Sequence, residues 1–130
     1  MSDKDFEIRN KKFVNRMKND KTFKKLTNSW FIESVKNEYS YHFRWLGVPI
    51  IQYPQDAIAY QEIIWKVRPD LIIETGIARG GSLIFSASIL EIIGKGKVLG
   101  IDIDIHKQNK KAVKTHSLSK RISMLEGSSI

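Results

Sequence analysis

Residues 71–82 read Leu71-Ile72-Ile73-Glu74-Thr75-Gly76-Ile77-Ala78-Arg79-Gly80-Gly81-Ser82. An apolar run ends in an acidic residue, and a glycine-rich turn and an apolar segment with helical spacing follow. This pattern predicts a buried parallel strand, a turn that a ligand can approach closely, and a helix whose N-terminus faces that ligand. A second acid, Asp102, ends the next apolar run. Strand, glycine turn, helix, strand and acid together predict the first half of a nucleotide-binding α/β domain.

Further elements are predicted on both sides of this unit. The patterns indicate three strands, at Leu71–Glu74, Lys97–Asp102 and Arg121–Leu125. They also indicate helices that begin at Asp56, as an N-cap, near Gly81 and at Gln108, with Pro69 ending the first. The lysine-rich residues 1–40 predict two helices separated near Asn19-Asp20, with Asp20 capping the second.

The predicted domain organisation has two parts. Residues 1–56 form a helical lead-in and a connector, and residues 57–130 form the first half of the cofactor-binding domain. Because the chain ends at Ile130, we expect the sheet to be truncated after its third strand, which leaves the first strand with an exposed edge.

The connector from Tyr39 to Asp56 is rich in aromatic residues and contains Gly47, Pro49 and Pro54. Its prolines exclude a continuous helix and favour extended backbone. Two interpretations are open at this point. The segment forms a wall or lid of a ligand site, or it is a packed connector that covers the core.

Composition excludes several classes of site and partner. The 130-residue chain has no cysteine, so it has neither disulfides nor thiolate metal sites, and a reducing cytoplasm is the expected location. No apolar run reaches the roughly 20 residues that a membrane span needs, so no membrane partner is expected. The net charge of +8 indicates either a patch for acidic partners or a solvated surface. The basic residues of the chain are not interleaved with aromatic residues, so nucleic acid is not an expected partner. The three histidines are not spaced as metal ligands, and no metal site is predicted.

The glycine turn has the chemistry of an anion site. Gly76 lets the chain turn where a side chain would collide, and Gly80 and Gly81 let the backbone approach a ligand and the helix approach the sheet. Ser82 and the free N–H groups of the first helical turn offer donors to an anion. Asp102, at the tip of the next strand, can accept hydrogen bonds from two ribose hydroxyls.

Glu74 distinguishes between cofactors. A carboxylate inside the turn repels a pyrophosphate but suits an ammonium, so Glu74, Ser82 and Asp102 match the ammonium, carboxylate and ribose of S-adenosylmethionine. NAD matches only Asp102 and the glycines. Ser128 follows the third strand at the same sheet edge, where it contacts the adenine or belongs to an ordinary turn. The competing interpretation is that Glu74 and Asp102 bind only backbone N–H groups.

These residues resemble the cephalosporin hydroxylase family, which includes the enzyme of cephamycin methoxylation and rhamnosyl O-methyltransferases. The resemblance runs from about Tyr41 to Ile130. It is carried by the segments Trp45 to Ile50, Gln52 to Asp56, Arg68 to Gly76, Gly80 to Ser82, Gly100 to Asp104 and Glu126 to Ser129.

The resemblance implies a Rossmann-like α/β fold of the class I methyltransferases, with an N-terminal helical extension. It implies an S-adenosylmethionine-dependent O-methyltransferase that acts on a hydroxyl of a small molecule or sugar. Glu74, Gly76, Gly80 and Ser82 would surround the methionine part and Asp102 would hold the ribose. Relatives often use Mg²⁺, whose carboxylate ligands come from later strands, so neither a metal ligand nor a catalytic residue is assigned here.

Two other functions remain open from the sequence. One is a fragment of an NAD-dependent oxidoreductase, which would bind NAD and not S-adenosylhomocysteine. The other is a non-catalytic binding or assembly module that oligomerises through the open sheet edge. For the leading interpretation, too, a homo-oligomer is expected.

Overall fold

The structure, a computed structural model, describes residues 1–130. The chain forms two compact units, Met1–Glu38 and Tyr39–Ile130. The aromatic connector therefore shares a unit with the sheet. The functional division into residues 1–56 and 57–130 stays a prediction.

The first unit consists of two helices, α1 (Asp3–Asn19) and α2 (Lys21–Lys36). Their separation beside Asp20 confirms the predicted break. The Asp20 carboxylate accepts a hydrogen bond from the Phe23 N–H at 2.9 Å, so its predicted role as the cap of the second helix is also confirmed. None of the chain's helices combines the length and apolar composition that crossing a bilayer requires.

The second unit begins with a short antiparallel hairpin. A 3-10 turn at Tyr39–Tyr41 leads into strands β1 (Phe43–Trp45) and β2 (Val48–Ile50). The two residues between the strands, Leu46-Gly47, have φ angles of 45° and 88°. Positive φ at both central positions is typical of a tight hairpin turn whose twist matches the flanking strands.

Helix α3 (Pro54–Val67) follows, and one prediction about it is wrong. Asp56 does not cap this helix, because Tyr53 is the N-cap residue and Pro54 occupies the first turn. A proline is favoured there, since its fixed φ suits the helix and its missing N–H would have no partner in any case. Asp56 lies inside the first turn, and Arg68, in the left-handed conformation, ends the helix before Pro69.

The remaining elements form the parallel sheet and its helices. In chain order they are β3 (Leu71–Thr75), α4 (Gly81–Ile93), β4 (Lys97–Asp102), α5 (Lys107–Thr115) and β5 (Ile122–Glu126). The strand order is β3-β4-β5, all parallel, which confirms the predicted α/β fold and places β3 at an edge. The register pairs Thr75 with Ile101 and Asp102 with Glu126. The carboxyl ends of the three strands therefore share one edge, where parallel α/β sheets bind ligands.

Helix α4 is the centre of the core. As its apolar residues predict, it is buried nearly all round, and Leu83, Ile84 and Leu90 have no exposed surface. It packs between the sheet and α3, with Val98 and Ile64 among its buried neighbours. This packing sets the position of the helix N-terminus above the sheet edge.

The expectation that β3 is a buried strand is wrong for one of its two faces. Ile72 and Glu74 are half-buried on the side of α4, but Leu71 and Ile73 are 51% and 59% exposed. Side chains alternate between the two faces of a strand, and the helices after β3 and β4 cover one face only. A continuous apolar run such as Leu71 to Ile73 therefore does not reveal by itself which of its residues are covered.

We expect two neighbouring cations that pair with Glu91 to differ in their contribution to stability. Arg121 is largely buried, and its guanidinium donates to Glu91 and, at 2.9 Å, to the Gly96 carbonyl. Lys120 contacts Glu91 at 3.1 Å but is exposed. Arg121→Met should lower the free energy of unfolding by about 2 kcal/mol, as for hydrogen bonds to charged groups.

The matched control is Lys120→Met, which should cost less than about 1 kcal/mol because solvent screens an exposed ion pair. Urea unfolding followed by far-ultraviolet circular dichroism measures both values. Equal losses in the two variants would contradict the assignment of Arg121 as the residue that ties the turn before β5 to the end of α4.

Candidate functional site

Two cavities adjoin each other at the carboxyl edge of the sheet. The larger, of about 480 Å³, lies between the glycine turn, the N-terminus of α4 and the loop after β2. The smaller, of about 320 Å³, lies beside the ends of β4 and β5. Thr75 and Gly76 line both. We call them the turn cavity and the strand-end cavity.

Glu74 and Ser82 meet in the turn cavity. The Ser82 hydroxyl donates a hydrogen bond to Oε1 of Glu74, across the turn that joins β3 to α4. Burial raises the pKa of Glu74, and the hydrogen bond from Ser82 opposes that rise. The sequence suggested that Ser82 donates to an anionic ligand. In the structure, its hydroxyl donates to Glu74.

The three predicted glycines have different surroundings. A Cβ atom on Gly80 would collide with Val113 of α5, and one on Gly81 would collide with the backbone of Pro49. Their close approaches are therefore to other parts of the protein. Gly76 has a φ of 78° and open space where its Cβ would be, so at this residue the backbone borders the two cavities directly.

Asp102 lies at the end of β4 in the strand-end cavity. Its Oδ2 accepts a hydrogen bond from the Ile77 N–H at 2.8 Å, and its Oδ1 accepts a longer one, of 3.4 Å, from the Asp104 N–H. The bond from Ile77 is the main reason that the pKa of Asp102 is lowered. One carboxylate oxygen thus ties the glycine turn to β4. The role of Asp102 as a ribose ligand stays a prediction.

Ser128 lines the same cavity as Asp102. The Gly127 N–H donates to the Asp102 carbonyl at 2.8 Å, which holds the chain after β5 beside β4. The Ser128 hydroxyl oxygen accepts a hydrogen bond from the Ile130 N–H at 3.1 Å. The structure thus brings the predicted residues to one sheet edge, with Glu74 and Ser82 in one cavity and Asp102 and Ser128 in the other.

Several side chains that line the turn cavity were not among the predicted site residues. Gln52, Tyr60 and Arg79 are polar examples. Arg79 lies within the quoted turn, so its position could have identified it. Gln52 and Tyr60 belong to the connector and to α3, and no local pattern in the sequence places them beside the turn.

The turn has a further support that the sequence analysis did not identify. The side-chain amide of Asn109 donates to the Ala78 carbonyl at 2.9 Å. Ala78 has a φ of 44°, a left-handed conformation that a residue with a Cβ adopts at a cost. The bond from α5 therefore helps to hold the turn in this conformation.

The structure contains no group of three or more His, Cys, Asp or Glu side chains placed to hold a metal ion. Asp102 and Asp104 do not form such a group with a third residue. No catalytic base is identified from the described side chains.

A sequence profile described as Rhamnosyl O-methyltransferase/CmcI matches residues 37–130. The chain belongs to this family. The matched segment begins near the start of the second compact unit and includes the residues that line both cavities. Among curated proteins, the Rhamnosyl O-methyltransferase of Mycobacterium leprae (strain TN) is 41% identical over 64 residues, which are 48% of this chain and 28% of that protein.

Solved structures of CmcI have the same fold. A structure described as CmcI with SAH has a TM-score of 0.54 and 26% identity, covering 66% of this chain and 43% of that one. An apo structure of CmcI gives 0.60 and 27%, covering 68% and 37%. A Mg-SAM structure of CmcI gives 0.56 and 25%, with the same coverage. The chain thus spans less than half the length of each of these relatives.

The half-buried Glu74 makes stability depend on pH in a definite direction. The pKa of Glu74 in the folded state is higher than its ordinary value of 4.5. At a pH between these two values, the folded state holds a proton that the unfolded state has lost. Glu74 therefore reduces stability progressively as pH rises through this interval. Relative to the wild type, Glu74→Gln should gain stability as the pH increases.

Urea midpoints measured from pH 4.5 upward would test this expectation. Glu62→Gln is the control, since Glu62 is exposed on α3. A constant difference between wild type and Glu74→Gln over the whole pH range would contradict it.

Proposed function

We propose that this chain binds S-adenosylmethionine as the cofactor-binding part of an O-methyltransferase whose acceptor is a hydroxyl of a small molecule or sugar. The observation that carries this proposal is the pair of adjoining cavities, with Glu74 in one, Asp102 in the other and Gly76 between them. A ligand with an amino-acid end and a nucleoside end fits this arrangement. The descriptions of the CmcI structures, with SAH and with Mg-SAM, support it.

The donor set of the turn cavity suits an amino-acid zwitterion. The Glu74 carboxylate can accept hydrogen bonds from an ammonium, and Arg79 and the N–H groups at the start of α4 can donate to a carboxylate. A pyrophosphate would instead face the carboxylate of Glu74. This chemistry favours S-adenosylmethionine over NAD.

The strand-end cavity suits the nucleoside part. Asp102 keeps an oxygen, Oδ1, whose hydrogen bond of 3.4 Å is long, and this oxygen can accept from ribose hydroxyls. Ser128 lies in the same cavity and would contact the adenine. Gly76 lines both cavities and has no side chain, which leaves room for a ligand that reaches from one to the other.

When bound, the cofactor supplies an electrophilic methyl group on a sulfonium sulfur. The contribution of this chain is to hold the methyl donor in a fixed position against the acceptor. For Mg²⁺ the described side chains do not provide a ligand group, and no step is assigned to it. A homo-oligomeric state and a cytoplasmic location stay predictions.

Isothermal titration of the 130-residue chain with S-adenosylhomocysteine, and separately with NAD, tests the proposal. Saturable binding of S-adenosylhomocysteine alone is the expected result. Glu74→Gln should weaken it, while Glu62→Gln, on the exposed face of α3, should not. Binding of NAD alone would favour the oxidoreductase, and binding of neither would favour the non-catalytic module.

A further inference from the structure

Helix α1 carries an exposed apolar stripe. Phe6, Phe13 and Met17 follow one another at intervals of seven and four residues, which places them within about 40° around the helix. These residues are 50%, 44% and 40% exposed, and no residue of α1 is buried. We call the three residues the α1 stripe. Packing into a core of this chain therefore does not account for it.

Basic side chains border the α1 stripe on both sides. By helical position, Arg9 and Arg16 lie along one side of it, and Lys11 and Lys18 lie along the other. The Arg9 guanidinium carbon is 5.6 Å from the centroid of the Phe13 ring. Long basic side chains at such a border can lay their methylene groups on apolar surface while the charged ends reach phosphate groups.

The positive charge continues into α2. Residues 8–25 contain eight Lys or Arg residues and a single acid, Asp20, whose carboxylate caps this helix. Phe23 and Leu26, near the start of α2, are 45% and 65% exposed. The segment thus combines exposed apolar side chains with a strong net positive charge. This composition is typical of helices that lie on an anionic membrane surface.

The partner of the α1 stripe has to match both its apolar residues and its basic borders. A second copy of α1 would bring two sets of basic side chains together, and their repulsion opposes such a pair. A nucleic acid offers phosphates to the basic residues but leaves the apolar stripe in water. An anionic bilayer offers headgroup phosphates to the basic residues and acyl chains to the stripe.

We propose that α1 and the start of α2 bind the surface of a membrane that contains anionic phospholipids. Helix α1 lies in the plane of the interface, with the α1 stripe toward the acyl chains. Both helices lie outside residues 37–130, which the family profile matches, so this role does not depend on the proposed methyltransferase function. The composition predicted no membrane partner because no segment spans a bilayer, but a surface helix needs only one apolar side.

Flotation of the full chain with lipid vesicles tests the proposal. Vesicles of equal parts phosphatidylglycerol and phosphatidylcholine should carry the chain upward in a density gradient. Vesicles of phosphatidylcholine alone should leave it in the dense fraction. Added sodium chloride should release the bound chain, because salt screens the attraction between the basic side chains and the headgroups.

Ile8 provides a matched control for the α1 stripe. It is 59% exposed, but it lies about 160° around α1 from the middle of the stripe. Phe13→Gln should reduce the affinity for the anionic vesicles by at least about tenfold, because a phenyl ring no longer leaves water on binding. Ile8→Gln should change the affinity by less than about twofold. Far-ultraviolet circular dichroism of both variants should show unchanged helix content.

A second pair of variants tests the charges. The double variant Lys11→Gln and Lys18→Gln should lose at least about tenfold in affinity for the anionic vesicles, since each removed cation weakens attraction to the headgroups. Its control is the double variant Lys107→Gln and Lys111→Gln, which removes two exposed lysines of α5. We expect the control to stay within about threefold of the wild type.

No flotation with either kind of vesicle, or equal flotation with both, would overturn the proposal. Equal losses within either pair of variants would also overturn it. Light scattering of the chain without lipid tests the second copy as the partner. A dimer that Phe13→Gln dissociates would mean that a second copy covers the α1 stripe, and the membrane role would then be wrong.

Discussion

Replacing Gly81 by alanine is expected to destabilise the second unit more than any other alanine substitution in the glycine turn. A Cβ atom at this residue would collide with the Pro49 carbonyl oxygen and lie 2.7 Å from Cα of Ile50. Both are backbone atoms, so no side-chain rotation can relieve the contact. The hairpin or the start of α4 must move, and we expect a loss of about 3 kcal/mol in the free energy of unfolding.

Gly76→Ala is the informative control. Gly76 has a φ of 78°, which disfavours a side chain, but its Cβ would meet no atom within 4 Å. The expected loss is therefore only the conformational cost of about 1 kcal/mol. Urea unfolding of the two variants measures the difference. A larger loss for Gly76→Ala would mean that turn conformation, and not contact between α4 and the hairpin, determines stability here.

Removing the carboxylate of Asp102 is expected to have the largest effect on binding of S-adenosylhomocysteine. Asp102→Ala removes both the proposed ribose acceptor and the hydrogen bond to the Ile77 N–H. A hydrogen bond to a charged group contributes about 2 kcal/mol, which corresponds to about a thirtyfold increase in Kd. Isothermal titration of the wild type and the variant measures this change.

Two further variants separate the roles of Asp102. Asp102→Asn retains an oxygen for the Ile77 N–H, so the turn should keep its position while the charge is lost, and affinity should fall by a smaller factor. Asp104→Ala removes a neighbouring exposed carboxylate that lines neither cavity, and its Kd should stay within about twofold of the wild-type value. Wild-type affinity in Asp102→Ala would exclude the ribose role.

The link between Asp102 and the turn also has a pH signature. Because the Ile77 N–H lowers the pKa of Asp102, this bond stabilises the fold above the ordinary pKa of 3.8. Its contribution is lost as pH falls through the lowered value. Asp102 therefore acts in the opposite sense to Glu74, whose raised pKa makes the fold less stable as pH increases.

The sequence allowed the element order around the site to be predicted closely. The strand Lys97–Asp102 was predicted with the bounds that the structure has. Helix α4 was also placed correctly, because apolar periodicity and its flanking glycines are local signals. The first turn of α3 was mispredicted at Asp56, since Pro54 offered a stronger helix start than an acidic cap.

By itself, the sequence determined the strand, the glycine turn, the helix and the acid at the end of the next strand, and the resemblance to the family that the profile match confirms. These are properties of short segments, in which residue type and spacing decide conformation. Only the tertiary structure decided which atoms fill the space beside Gly81, that the Ser82 hydroxyl donates to Glu74, and that the connector lines a cavity next to the turn. These contacts depend on how α4 packs against the hairpin and the sheet. No local pattern encodes that packing, because it follows from side chains that are far apart in the chain and are brought together by burial.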